Sequence, residues 1–200
     1  MLLATTIPVR SEAPPAWLYA TVGSRALLGT DGEDASVAIV CKTAQDYRTM
    51  ESGKTVPESC GSRAEGTTIV IDSIVNEGKT CDQHRTLLGI HAADGSWKGY
   101  AAITAVYPLI PTGTTLTLKP LASMSRASIA NDRKAGPEGG TDIGTSATVK
   151  VVSFKPTSMD RDLLVTVESG PHAGLRGWTF LVQTLIAGKE TDQMLCPASM

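Results

Sequence analysis

Residues 161–185, RDLLVTVESGPHAGLRGWTFLVQTL, decide how this chain folds. Leu163 to Val167 alternates as a strand does, and Ser169 to Gly174 gathers the glycine and proline of a turn. Gly177-Trp178 then opens a second alternating run. A weaker copy stands upstream at 85–106, RTLLGIHAADGSWKGYAAITAV. Two such hairpins predict two related β units.

A common frame sharpens that expectation. Setting Gly66-Thr67 on Gly144-Thr145 places Gly99-Tyr100 on Gly177-Trp178, with 33 residues between the landmarks in each copy and an offset of 78. Within it Arg85, Leu87 and Leu88 fall on Arg161, Leu163 and Leu164 if one turn of the first copy is two residues longer and the next two shorter. Chance likeness of two β-meanders is the competing reading. The first copy carries extra sequence upstream, roughly the segment between Cys41 and Cys60. That segment is expected to be an inserted loop or excursion hairpin, and long loops on rigid scaffolds are where binding specificity tends to sit.

Composition agrees with a β protein. Of 200 residues 42% are apolar, enough for a core, but only nine are aromatic, and no long helical period is present. Ala35–Cys41, Gly66–Val75, Thr86–His91, Gly99–Val106, Thr114–Leu118 and Thr145–Phe154 read as strands, and Ser123–Gly140 as a mobile loop. Lys plus Arg number 18 against 20 Asp plus Glu, a net charge of -2 without basic blocks, so a nucleic-acid partner is not expected. The opening MLLATTIPVR is too short an apolar run to span a bilayer. It reads as an extended arm, or as the remnant of an export signal or membrane anchor.

Four cysteines, Cys41, Cys60, Cys81 and Cys196, show no CxxC spacing. An even count fits two disulfides in an oxidising compartment. Three pairings are open, with four free buried thiols as the other reading. Cys41–Cys60 closing a local loop and Cys81–Cys196 tying the tail to the first unit is the expectation carried forward.

ESGPHAGLRGWTFLVQTL resembles the end of a bacterial SH3-like domain, where a glycine turn leads into Gly-Trp and alternating apolar residues. GSWKGYAAITAV is similar, with Tyr100 in place of tryptophan and Trp97 in the turn. The resemblance covers about 22–25 residues in each half. It implies an all-β chain of two tandem small SH3-like β-barrels with extended N- and C-terminal arms. It also implies non-catalytic roles: binding peptides or cell-wall polymers, or packing within larger assemblies. The aromatic groove and acidic loop of proline-rich-peptide binders have no counterpart here.

The expected architecture is an arm at 1–16, a first barrel at 17–112 with its insertion at 41–60, a second barrel at 113–187 and a tail at 188–200. No GxSxG, HExxH, P-loop or GxGxxG occurs. The best metal or thiol constellation is Cys81, His84 and His91, which would need a further ligand to close a zinc site. The favoured expectation is a non-enzymatic structural or accessory subunit without a cofactor. It faces the extracytoplasmic side, periplasmic or cell-surface, and docks on a protein partner in a larger, membrane-associated complex. Trp17, Tyr19, Tyr47, Trp97, Tyr100 and Trp178 are the candidate interaction residues. A cell-wall or glycan-binding module, and an enzyme centred on Cys81, His84 and His91, are the alternatives.

Overall fold

The structure is a computed structural model that describes residues 13–29, 37–53, 55–76, 81–83, 85–121, 124–155, 160–191 and 194–197. It is mostly β-sheet and includes a curled half-barrel sheet. In the first half the strands are β1 (Arg25–Leu28), β2 (Val37–Cys41), β3 (Cys60–Ala64), β4 (Thr68–Asn76), β5 (Thr86–Ala92), β6 (Lys98–Ala102) and β7 (Val106–Pro108). In the second they are β8 (Thr115–Leu118), β9 (Ala127–Ile129), β10 (Thr141–Gly144), β11 (Ala147–Phe154), β12 (Leu163–Val167), β13 (Arg176–Thr179), β14 (Thr184–Ile186) and β15 (Lys189–Glu190).

The sheet orders correspond. The first sheet runs β3-β2-β6-β5-β4-β1-β7. In the second half a β10-β9 pair meets β13 through the bridge Ala130–Trp178, and the sheet continues β13-β12-β11-β8-β14-β15. A 3₁₀ turn precedes β7 in the first half and β14 in the second, at Ile103–Ala105 and at Leu181–Gln183, again 78 residues apart. Both long strands carry a bulge, between Ile71 and Ser73 and between Val151 and Ser153. The amide of Gly23 bonds the Ile71 carbonyl at 2.7 Å, and that of Gly113 bonds Val151 at 2.8 Å, so these turns are a further matched pair.

Gly99 and Gly177 perform the same task. A side chain on Gly99 would lie 2.6 Å from the Cys41 carbonyl oxygen, and one on Gly177 would lie 2.7 Å from that of Ala130. Neither glycine has a positive φ; close approach of backbones is what excludes a Cβ. Gly99→Ala and Gly177→Ala are each expected to lose about 1–3 kcal/mol by overpacking, measured as a fall in the urea midpoint.

The strand register corrects the sequence frame by one residue. Leu88 lies opposite Ala101, and Leu163 opposite Thr179, the counterpart of Ala101. Leu88 therefore matches Leu163, and the partner of Arg161 is Thr86 rather than Arg85. The repeated R-x-L-L favoured the wrong match, and a slip of one residue changes which face a side chain takes. Thr86 and Arg161 are both buried, whereas Arg85 is exposed.

Among the described residues three apolar clusters form the core. Ile69, Ile71, Leu88, Ile90, Ile103 and Val106 lead the first, and Leu116, Leu118, Val149, Val151, Leu163 and Val165 the second. Alternation along β12 and β11 puts these residues inward. The third cluster lies under the insertion, which is not the expected loop or hairpin. It holds the helix α1 (Ala44–Glu51), whose Tyr47 packs with Cys41, Leu87 and Ala102. Thr43 caps α1, its Oγ1 accepting from the Asp46 amide at 3.1 Å and donating to the Asp46 carboxylate at 2.7 Å.

Of the 123–140 stretch, expected to be mobile, the described part, 124–140, is organised by a buried cation. Arg161 is 0% exposed. Its Nε donates to the Ala135 carbonyl at 3.0 Å, and Nη1 to the carbonyls of Ser128 at 2.9 Å and Trp178 at 3.3 Å. Nη2 donates to Ser128 Oγ at 2.9 Å, to the Gly136 carbonyl at 2.8 Å and to the Gly139 carbonyl. The guanidinium also lies 4.8 Å from the Phe180 ring centre. A cation that cannot be deprotonated is thus solvated by backbone.

The described ends are not extended arms. Cys41 is bonded to Cys60 and Cys81 to Cys196. Leu195 pairs in parallel with Tyr19, and Met194, 1% exposed, inserts into the first core. Trp17 in turn packs against the second core, as does Ile110. Each half is thereby closed in part by chain from beyond the other. The arm at 1–12 lies outside the described residues.

Candidate functional site

The sequence candidates do not converge. Cys81 is bonded to Cys196, and in that form it has no thiolate to offer a metal or substrate. His84 lies outside the described residues. His91 stands on β5, its Nδ1 2.8 Å from Asp72 Oδ1. Among the described residues no group of three His, Cys, Asp or Glu side chains is placed to hold a metal ion. Tyr47, 1% exposed, is a core residue and offers nothing to a surface. Trp17 and Tyr19 belong to the zipped ends.

Trp97, Tyr100 and Trp178 remain, all partly exposed. Tyr100 and Trp178 occupy matched positions opposite Cys41 and Ala130. Two of the three rings carry a guanidinium. Arg63 lies 5.2 Å from the Trp97 ring centre, and Arg133 lies 5.5 Å from that of Trp178. Arg133 is fixed by hydrogen bonds from Nε to the Arg161 carbonyl at 3.0 Å and from Nη2 to that of Lys155 at 2.8 Å. These pairs are broad, rigid and part apolar, with a charge held at the ring face.

Two hollows adjoin the aromatic residues of the first half. One, of about 330 Å³, lies on the sheet face between Lys42, Asp72, Lys98 and Tyr100, floored by Gly89 and Gly99. The other, of about 600 Å³, lies beside the β5–β6 turn and is lined by Arg25, Thr68, Ala93, Asp94 and Trp97. Asp94 shapes that turn by accepting from the Ser96 amide at 2.9 Å. Hydrogen bonds from the Ser96 side chain and amide hold its carboxyl below the usual carboxylate range. Sequence reasoning missed Arg25 and Arg63, because their positions beside Trp97 come from strand packing alone.

One perturbed group lies away from these surfaces. Asp162 is 7% exposed, and burial pushes its carboxyl up to about 8. The Leu181 amide, donating to Oδ1 at 2.6 Å, and the Arg133 charge oppose the rise, while Glu65 adds to it. The folded chain thus holds a proton that the unfolded chain releases near pH 4. This contribution is fully present below about pH 4 and is lost as pH rises towards 8, with a slope of up to about 1.4 kcal/mol per pH unit. Asp162→Asn, which keeps the acceptor for Leu181, is expected to remove that slope. Urea midpoints of both proteins from pH 5 to pH 8 check this; parallel curves would contradict it.

No helix among the described residues is long and apolar enough to cross a membrane. Two disulfides suit an oxidising environment. In comparison with known proteins the chain matches no family model, no curated protein and no solved structure.

Proposed function

We propose that this chain is a non-enzymatic accessory subunit that docks on a larger, membrane-associated protein complex on the extracytoplasmic side. Its two halves are read as related SH3-like barrels, a reading supported by the matched strand order and the matched glycines. The observation that carries docking is the pair of partly exposed tryptophans, one in each half, each held under an arginine. Trp and Arg are enriched among the few residues that carry most of the energy of protein interfaces. The disulfides support the extracytoplasmic placement, since they persist where thiols are not kept reduced.

The test is cross-linking of the tagged, disulfide-intact chain in its native membrane and soluble fractions, followed by mass spectrometry of the linked peptides. Links from one defined partner to residues around Trp97 or Trp178 are expected. A chain that stays monomeric and unlinked in both fractions would sink the proposal.

A further inference from the structure

The two halves differ in how one matched position is filled. In the second half Glu168 follows β12, and its amide bonds the Thr148 carbonyl at 2.9 Å. Its carboxylate accepts from Thr115 Oγ1 at 3.2 Å and pairs with Lys150 Nζ at 3.2 Å. In the first half the matched residue is Ala93, whose amide bonds the Thr68 carbonyl, also at 2.9 Å. The registers of β1 with β4 and β8 with β11 place Arg25 where Thr115 stands, and Val70 where Lys150 stands. The second half therefore supplies its own carboxylate to this place. The first half has a cation there and a methyl group where the acid would be.

The space agrees with the substitution. The hollow beside Ala93 measures about 600 Å³, against about 200 Å³ for its counterpart lined by Thr148, Val167 and Ser169. Arg25 is exposed and makes no ion pair among the described residues. Asp94, the acid in the same wall, is engaged by Ser96. Trp97 forms an adjoining wall, with the Arg63 guanidinium over its ring. Arg25 and Arg63 thus place two positive charges, against the one carboxylate of Asp94, around an aromatic surface.

We infer that the cleft between Arg25, Ala93 and Trp97 binds a peptide carboxylate of a protein partner, replacing the carboxylate that Glu168 provides internally in the other half. Arg25 donates to the carboxylate, and the neighbouring apolar part of the peptide lies on Trp97. An Asp or Glu side chain and a chain-terminal carboxylate present the same chemistry. The inference rests on the docking reading above and names the chemistry of one contact.

Titration of the ¹⁵N-labelled, disulfide-intact chain by NMR tests it. The probes are three capped tripeptides: leucine–glutamate–leucine amide, leucine–glutamine–leucine amide, and leucine–glutamine–leucine with a free carboxylate. The first or the third is expected to shift Arg25, Ala93 and Trp97, which identifies the carboxylate source, and the uncharged amide is not. Arg25→Gln is expected to weaken binding at least about tenfold, since a charge-assisted hydrogen bond is lost. Ala93→Glu is expected to do the same by filling the cleft from within, with the remaining spectrum unchanged. Equal shifts from all three peptides, unchanged binding by both variants, or no shift at about 10 mM peptide would each overturn it, because one ion pair with one ring contact supplies millimolar affinity. Cross-linking to the same partner by wild type and Arg25→Gln alike would retire this cleft and leave the docking reading standing. Failure of wild type itself to link would retire the docking reading.

Discussion

Arg161→Met is expected to cost about 4 kcal/mol, read as a lower urea midpoint with an unchanged slope. The wild-type guanidinium satisfies the carbonyls of Ser128, Ala135, Gly136 and Gly139 and the Ser128 hydroxyl, all drawn around one buried charge. Methionine fills much of the volume but donates nothing, and a buried acceptor without a donor costs about 1–3 kcal/mol. The loop is therefore expected to open before the sheet does, and amides in 128–139 should exchange faster than those of β11 and β12. Arg161→Lys tests geometry separately from charge. One ammonium cannot span carbonyls on opposite sides of a planar fork, so about half of the loss is expected to remain. A methionine variant as stable as wild type, with unchanged exchange in the loop, would show that water replaces the guanidinium and that Arg161 does not organise this region.

Removing the Cys81–Cys196 bond, as Cys81→Ser with Cys196→Ser, is expected to cost a similar amount, about 4–5 kcal/mol. The bond joins residues 115 apart, and the entropy it removes from the unfolded chain grows with the logarithm of loop length. The Cys41–Cys60 bond closes only 19 residues, and its loss is expected to cost about 3 kcal/mol on the same reasoning. The two variants also differ in where they loosen. Without Cys81–Cys196 the strap at 194–196 keeps Met194 in the first core, backbone hydrogen bonds to Leu18, Ala20 and Val106, and the Gln83 side chain bonded to the backbone at 194 and 196. Exchange at Ala20 and Leu195 should then rise before any change in β8 to β14. Chemical denaturation with hydrogen exchange checks both claims. Equal stability of the oxidised protein and the double variant would show that core packing alone holds the strap.

Much of the β organisation is legible in the residues. Alternation in Leu163 to Val167 and in Thr145 to Phe154 and glycine turns at Gly95 and Gly170 act over a few residues, and the offset of 78 between Gly99 and Gly177 can be counted. The helix at 44–51 was legible in principle through Thr43 and Asp46, a capping pair, but its inward face is short: Tyr47 alone is fully buried, with Ala44 and Met50 packed beside it. The match of Arg85 to Arg161 failed because identity of type outweighed the pleat, and the pleat decides which residue is buried.

The amino-acid sequence by itself determined the turns, most strands, the repeat and an even set of cysteines, because each depends on local backbone preference or on a count. Only the tertiary structure decided that Arg161 is solvated by a loop some 25 residues away, that the tail closes the first core, and that Ala93 leaves open a place its counterpart Glu168 fills. Those outcomes are set by which distant groups compete for the same volume and the same hydrogen bonds, and that competition exists only once the strands are in register.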